Sequence, residues 1–142
     1  MADLIAIRNA IAANITLHSG LRADGQARDS VSPPCAVVLP RDPYITYAST
    51  MDGALDFSFA VLVLISDAAP VDATQRALDA YLGVVQADPA IALSVPQAIE
   101  ADNTLGGLVH FIQAVTAGGY GRIEYSGVTY FGARINVIAG GI

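Results

Sequence analysis

The chain contains no lysine. Its seven basic side chains are all arginine, set against thirteen acids, and the formal net charge is −6 over 142 residues. An acidic chain of this kind is poorly suited to gripping nucleic acid by neutralising phosphates. There is one cysteine, Cys35, which excludes an internal disulfide framework and fits a reducing compartment. His18 and His110 are the only histidines, and neither has Cys, His, Asp or Glu at ligand spacing, so no metal and no cofactor is expected. No apolar run approaches the ~18 residues of a membrane span, and the longest, residues 60–65, has the length of a strand. The opening MADLIAIRNAI places Asp3 early and lacks a basic n-region, so it does not read as a secretory signal. No repeat or linker divides the sequence, and one domain over 1–142 is expected. Charged residues make up only 14%, whereas 54% are apolar and the mean hydropathy is +0.50. So apolar a chain without a membrane span is expected to bury surface in an oligomer.

The segment that organises the rest is LDFSFAVLVLIS, residues 55–66. Alternation places Phe57, Phe59, Val61, Val63 and Ile65 on one face and Asp56, Ser58, Ala60, Leu62 and Leu64 on the other. The first half has a polar side and the second is apolar on both sides, which predicts a central strand covered twice at its far end. Before it, a helix is expected over 3–17, with Asp3 as N-cap and Leu4, Ile7, Ile11 and Ile15 as its stripe, widened by Ile5 and Ala12. Residues 20–34 read as a polar connection. Residues 36–39 read as a short strand closed by Pro40, residues 41–43 as a turn, residues 44–48 as an extended piece, and Asp52-Gly53 as a turn.

After the central strand, Asp72 and Gln75 have capping-box spacing for a second helix with Leu78, Tyr81, Leu82 and Val85 buried, broken at Asp88-Pro89. Ser94 and Gln97 repeat that spacing before a short helix at 98–101, and 103–107 reads as a turn. Strands are expected at 108–116, 123–125 and 128–139. A glycine-rich connection lies at 117–121, and Ser126-Gly127 serves as a two-residue hairpin turn. The order predicts α+β, with a mainly antiparallel sheet and helices packed on one face.

No constellation points to an active site, and the chain is not expected to be an enzyme. Cys35 reads as a small buried apolar residue, since nothing nearby supplies a base or positive charge. The run GGYG at 118–121 lies between strand candidates and not before a helix, which disfavours a phosphate cradle. Asp52, Asp56 and Asp67 surround the central strand, but turn formation and solvation account for them. Arg122 and Glu124, with Arg134 on the opposite strand, suggest a charged face on the last hairpin, either solvated or an assembly contact.

In the segments MADLIAIRNAIAANI, PPCAVVLP, MDGALDFSFAVLVLIS, TQRALDAYL, IEADNTLGG and YSGVTYFGARINV, taken in order over most of its length, the chain resembles the tail terminators of long-tailed actinobacterial phages. One departure is Cys35, where Ala or another small residue is expected. The resemblance implies a structural virion protein of the tail and neck, assembled in the host cytoplasm. It implies a homo-hexameric ring that caps the head-proximal end of the tail tube, ends tube growth and offers the head a docking surface. The partners would be further copies of itself, the tail-tube protein and a head-side neck or connector protein. DNA would pass through without sequence-specific binding, and no membrane is involved. Another neck protein, a head-completion or connector ring, is the nearest alternative. A small cytoplasmic enzyme or ligand-binding domain is the more distant one. Two polar protrusions are the expected assembly contacts: Arg41, Tyr44, Tyr47 and Asp52 in one, and Tyr120, Arg122, Glu124 and Tyr125 in the other, with Arg134 beside it.

Overall fold

Every fourth residue of the first helix is a buried isoleucine, and this stripe lays the helix on the sheet. In the computed structural model, which describes residues 4–19, 21–25, 34–46, 56–66, 71–83, 94–102, 104–109 and 111–140, α1 spans Leu4–Ser19. Ile7, Ile11 and Ile15 are fully buried, while Ile5 is left half-exposed on the outer side. Burying an isoleucine contributes roughly 1.5–3 kcal/mol, so these three anchor the helix. Ser19 ends it by donating its hydroxyl to the Ile15 carbonyl, while the same oxygen accepts from Leu21 N at 3.2 Å. The expected N-cap, Asp3, lies outside the described residues.

The remaining elements are β1 (Arg22–Asp24), β2 (Cys35–Thr46), β3 (Asp56–Ser66), α2 (Val71–Leu82), α3 (Val95–Glu100), a 3₁₀ turn at Leu105–Gly107, β4 (Phe111–Tyr125) and β5 (Val128–Gly140). They form a five-stranded sheet in the order β1-β2-β3-β5-β4. β1 runs parallel to β2, and every other pairing is antiparallel. The expected central strand is therefore the middle of the sheet. Its Phe57, Phe59, Val61, Val63 and Ile65 share one core with α1, Leu78 of α2, and Val95 and Ile99 of α3. This is the α+β arrangement the sequence predicts, with the helices on one face. On the opposite face Leu62 and Leu64 form a second cluster with Cys35 and Tyr130, packed by Leu39, Ile123 and Tyr125. The far half of β3 is thus covered on both sides, as its apolar alternation requires.

Three expected boundaries dissolve. Residues 20–34 hold the short parallel strand β1. Pro40 does not close a strand, because β2 continues to Thr46. Pro40 pairs with Phe59 and Ile45 with Phe57, so residues 41–44 stand opposite Ser58 alone. β1 pairs with residues 35–37, and beyond them β2 has no neighbour on that side among the described strands, so Pro40 stands at an edge, where a missing N–H is tolerated. The glycine-rich connection at 117–121 is likewise part of one long strand, β4. Two bulges carry the strand through it, with Val115 inserted between Ala114 and Thr116, and Gly119-Tyr120 opposite Ala133 alone.

Local signals hold elsewhere. Ser94 Oγ accepts from Gln97 N at 3.4 Å and Gln97 Oε1 accepts from Ser94 N at 3.1 Å, which makes both arms of the capping box before α3. α2 starts at Val71, one residue before Asp72, so Asp72 lies inside the first turn and not before it. Leu78 is buried with Tyr81 and Leu82 against it; Val85, Asp88 and Pro89 fall outside the described residues. At the hairpin, Tyr125 pairs with Val128 and the intervening Ser126 and Gly127 take φ of 51° and 79°, the left-handed pair of a type I′ turn.

Candidate functional site

Among the described strands β4 is an edge of the sheet, and its composition is unusual for that position. From Phe111 to Gly121 it carries no charged residue, and residues 115–120 are all exposed. Phe111, Val115 and Tyr120 expose 41%, 49% and 45% of their surfaces. Two side chains from the helices reach the strand. Ala114 N donates to Glu100 Oε1 at 3.0 Å, so α3 satisfies one backbone group near the first bulge. At the second bulge, Gly119 adopts a φ of 64° and Tyr120 turns toward α2. The Tyr120 hydroxyl donates to Asp79 Oδ1 at 2.8 Å, and its ring meets Phe131 edge-on with centroids 5.5 Å apart. Loss of water around the hydroxyl, then the hydrogen bond to Asp79 and that carboxylate's charge, push the phenol up to about 12.

The face away from the helices holds a cleft of about 460 Å³ beside this edge, lined by Arg41, Gly118, Gly119, Ile123, Arg134 and Asn136. Arg134 is paired with Leu62 and Asn136 with Ala60, which places both on the face opposite the helices. Asn136 Nδ2 donates to Thr116 Oγ1 at 2.8 Å. Asn136 Oδ1 and Arg41 Nε are buried and have no hydrogen-bond partner among the described residues. Among the described lining residues there are two arginines and no carboxylate.

The residues expected at assembly contacts therefore divide. Arg41 and Arg134 come together at the cleft. Tyr44 belongs to the monomer's core region, with its ring edge-on to Phe59 at 5.6 Å and its hydroxyl pushed upward in pKa by burial, against the lowering charge of Arg8. Tyr120 also has an intrachain role at α2. Arg122 pairs with Phe131 and Glu124 with Thr129, so both lie on the helix side of the sheet. Arg134 lies on the other side, so the single charged face expected from Arg122, Glu124 and Arg134 does not exist. Tyr125 packs against the Cys35–Leu62–Leu64–Tyr130 cluster. Tyr47 and Asp52 fall outside the described residues, as do Asp67 and His110. Asn136, Thr116 and Glu100 were not expected to matter; the alternation that places Asn136 beside Arg134 is the signal for the first of these.

Cys35 is fully buried, and burial, with a further push from Asp24 and an opposing pull from Arg22, raises its thiol to about 11. A thiol held neutral in this way is a poor nucleophile at physiological pH. Among the described residues no group of three or more His, Cys, Asp or Glu stands together, and no helix is long and apolar enough to cross a membrane. What the described surface offers is a sheet edge uncharged from Phe111 to Gly121 and an arginine cleft next to it, both suited to contact with another chain. No family model matches the chain, and no curated protein matches it.

Proposed function

We propose that the chain is a structural virion protein that forms a closed ring on the head-proximal end of a phage tail tube, stops tube growth there and presents the surface to which the head joins. The observation that carries this reading is the β4 edge, together with the segment-by-segment resemblance to tail terminators. A long sheet edge is normally guarded by charge, proline or a covering layer, because its free N–H and C=O groups template association. Here the stretch from Phe111 to Gly121 has no charged residue and exposes Phe111, Val115 and Tyr120. Such an edge is protected when another subunit covers it. The bulges at Val115 and at Gly119-Tyr120, and the Glu100 cap on Ala114 N, work against open-ended strand stacking. A closed assembly meets both demands. A ring built from head-to-tail contacts covers the edge in every copy without growing further.

Tube assembly in the presence of the chain is the test. The candidate tail-tube protein is polymerised with and without it, and tube lengths and ends are read by negative-stain electron microscopy. Shortened tubes bearing a ring at one end only are expected. Tubes of unchanged length with bare ends contradict the proposal, and binding to a portal-side partner instead would move the ring to another level of the neck.

A further inference from the structure

We propose that the cleft between Arg41 and Arg134 is a socket for a carboxylate side chain of a second copy of this chain, so that an ionic contact fastens each joint between neighbouring subunits. This rests on the ring reading above and specifies the chemistry of its joint.

Three observations converge on the cleft. The first is charge. The chain carries thirteen acids and seven arginines, yet two of those arginines line one concavity with no carboxylate among its described lining. Arg134 is exposed and makes no hydrogen bond or ion pair among the described residues. The planar guanidinium fork matches a carboxylate in two-point geometry. A copy of this chain is rich in the complementary group.

The second observation is unfinished hydrogen bonding. Among the described residues Arg41 Nε is buried and unpaired, and Asn136 beside it is positioned by its bond to Thr116. Buried polar atoms in folded proteins nearly always have partners, so a guanidinium N–H left unpaired in this cleft calls for an acceptor, which a carboxylate oxygen supplies.

The third is place. Gly118 and Gly119 line the cleft and also belong to the uncharged stretch of β4. A neighbour covering that edge is brought against the mouth of the cleft. A socket on one copy filled from elsewhere on the next is a heterologous contact, the kind that closes into rings. A DNA duplex is the poorer fit, because phosphate grip draws on rows of cations along a surface, whereas this cleft of about 460 Å³ gathers two arginines in a concavity.

The test uses the full chain and the double variant Arg41→Glu/Arg134→Glu, with Arg134→Lys as the conservative partner. Mass is measured by light scattering, alone and with the candidate tail-tube protein, and folding is checked by circular dichroism and thermal melting. The double variant is expected to keep the wild-type spectrum and melt while its subunit contact weakens roughly tenfold or more. Arg134→Lys should recover part of that loss, and raised salt should weaken the wild-type contact in the same sense. A double variant that assembles like the wild type overturns the socket while leaving the ring reading standing. A double variant that assembles normally but melts at a lower temperature places the occupant within the same chain and overturns it too. Normal assembly with lost retention of duplex DNA assigns the cleft to phosphate and overturns it as well. A wild-type chain that stays monomeric under every condition overturns both the socket and the ring.

Discussion

The Tyr120 hydroxyl stands 2.8 Å from Asp79 Oδ1 at the bulge that turns β4 toward α2, so this side chain ties the edge strand to the helical layer. Its phenol is raised from 10 to about 12, which means the fold favours the neutral form. That contribution is fully present below pH 10 and is lost as pH rises from 10 through about 12. The residue is 45% exposed, so the effect is screened and small. Alkaline denaturation followed by circular dichroism should show a loss of stability in this window for the wild type, and Tyr120→Phe should lack that component. Identical pH profiles would detach Tyr120 from the Asp79 contact. At this scale the sequence was informative where a residue's neighbours are local. Cys35 reads as a buried apolar residue from its setting between Pro34 and Ala36, and it is one. Arg134 and Arg122 show the limit. The two-residue turn at Ser126-Gly127 already pairs Arg122 with Phe131, opposite in parity to Arg134, and grouping the charges by strand overlooks it. The convergence of Arg41 on Arg134 was not legible, because it depends on the irregular path of residues 41–44 across Ser58.

Among the elements, α3 is the clearest case of sequence dictating local structure. It is six residues long, too short to be stable alone, and it relies on its cap and on Val95, Ala98 and Ile99 in the core. Ser94→Ala removes the acceptor for Gln97 N and should cost about 1 kcal/mol in urea denaturation. A change within error would mean that burial alone holds the helix. Periodicity located α1, which has one dominant apolar face, and the whole of β3, whose alternation gives way to apolar residues on both faces. It failed where Gly and Pro were read as punctuation. Pro40 sits on a strand beyond the reach of β1, and Gly118 to Gly121 form a bulge inside β4. Gly and Pro report local backbone permission, and whether the chain then turns or bulges is decided by the partner strand. β1, three residues long, has no periodic signature and exists only through its pairing with β2.

For the whole molecule, the two faces of the sheet have different destinations. One is consumed by the three helices, while the other carries a small apolar cluster and an arginine cleft beside an uncharged edge. The fold class was legible because helix and strand order constrain it strongly. The proposed assembly surface was only partly legible, since two of the tyrosines singled out for it, Tyr44 and Tyr120, also serve the monomer. Each copy carries a net charge of −6, and the proposed ring would multiply it, which would suit a channel that DNA traverses without adhering. The central claim is that the β4 edge is covered by another copy. Its most direct test is the solution mass of the wild type and of Val115→Lys, measured by light scattering alone and with the tail-tube protein. Val115 is a half-exposed bulge residue, so a lysine there leaves the core untouched and guards the edge with charge. A closed oligomer for the wild type, on its own or on the tube, and a folded monomer for Val115→Lys is the predicted result. Equal masses for the two proteins in both conditions would contradict it.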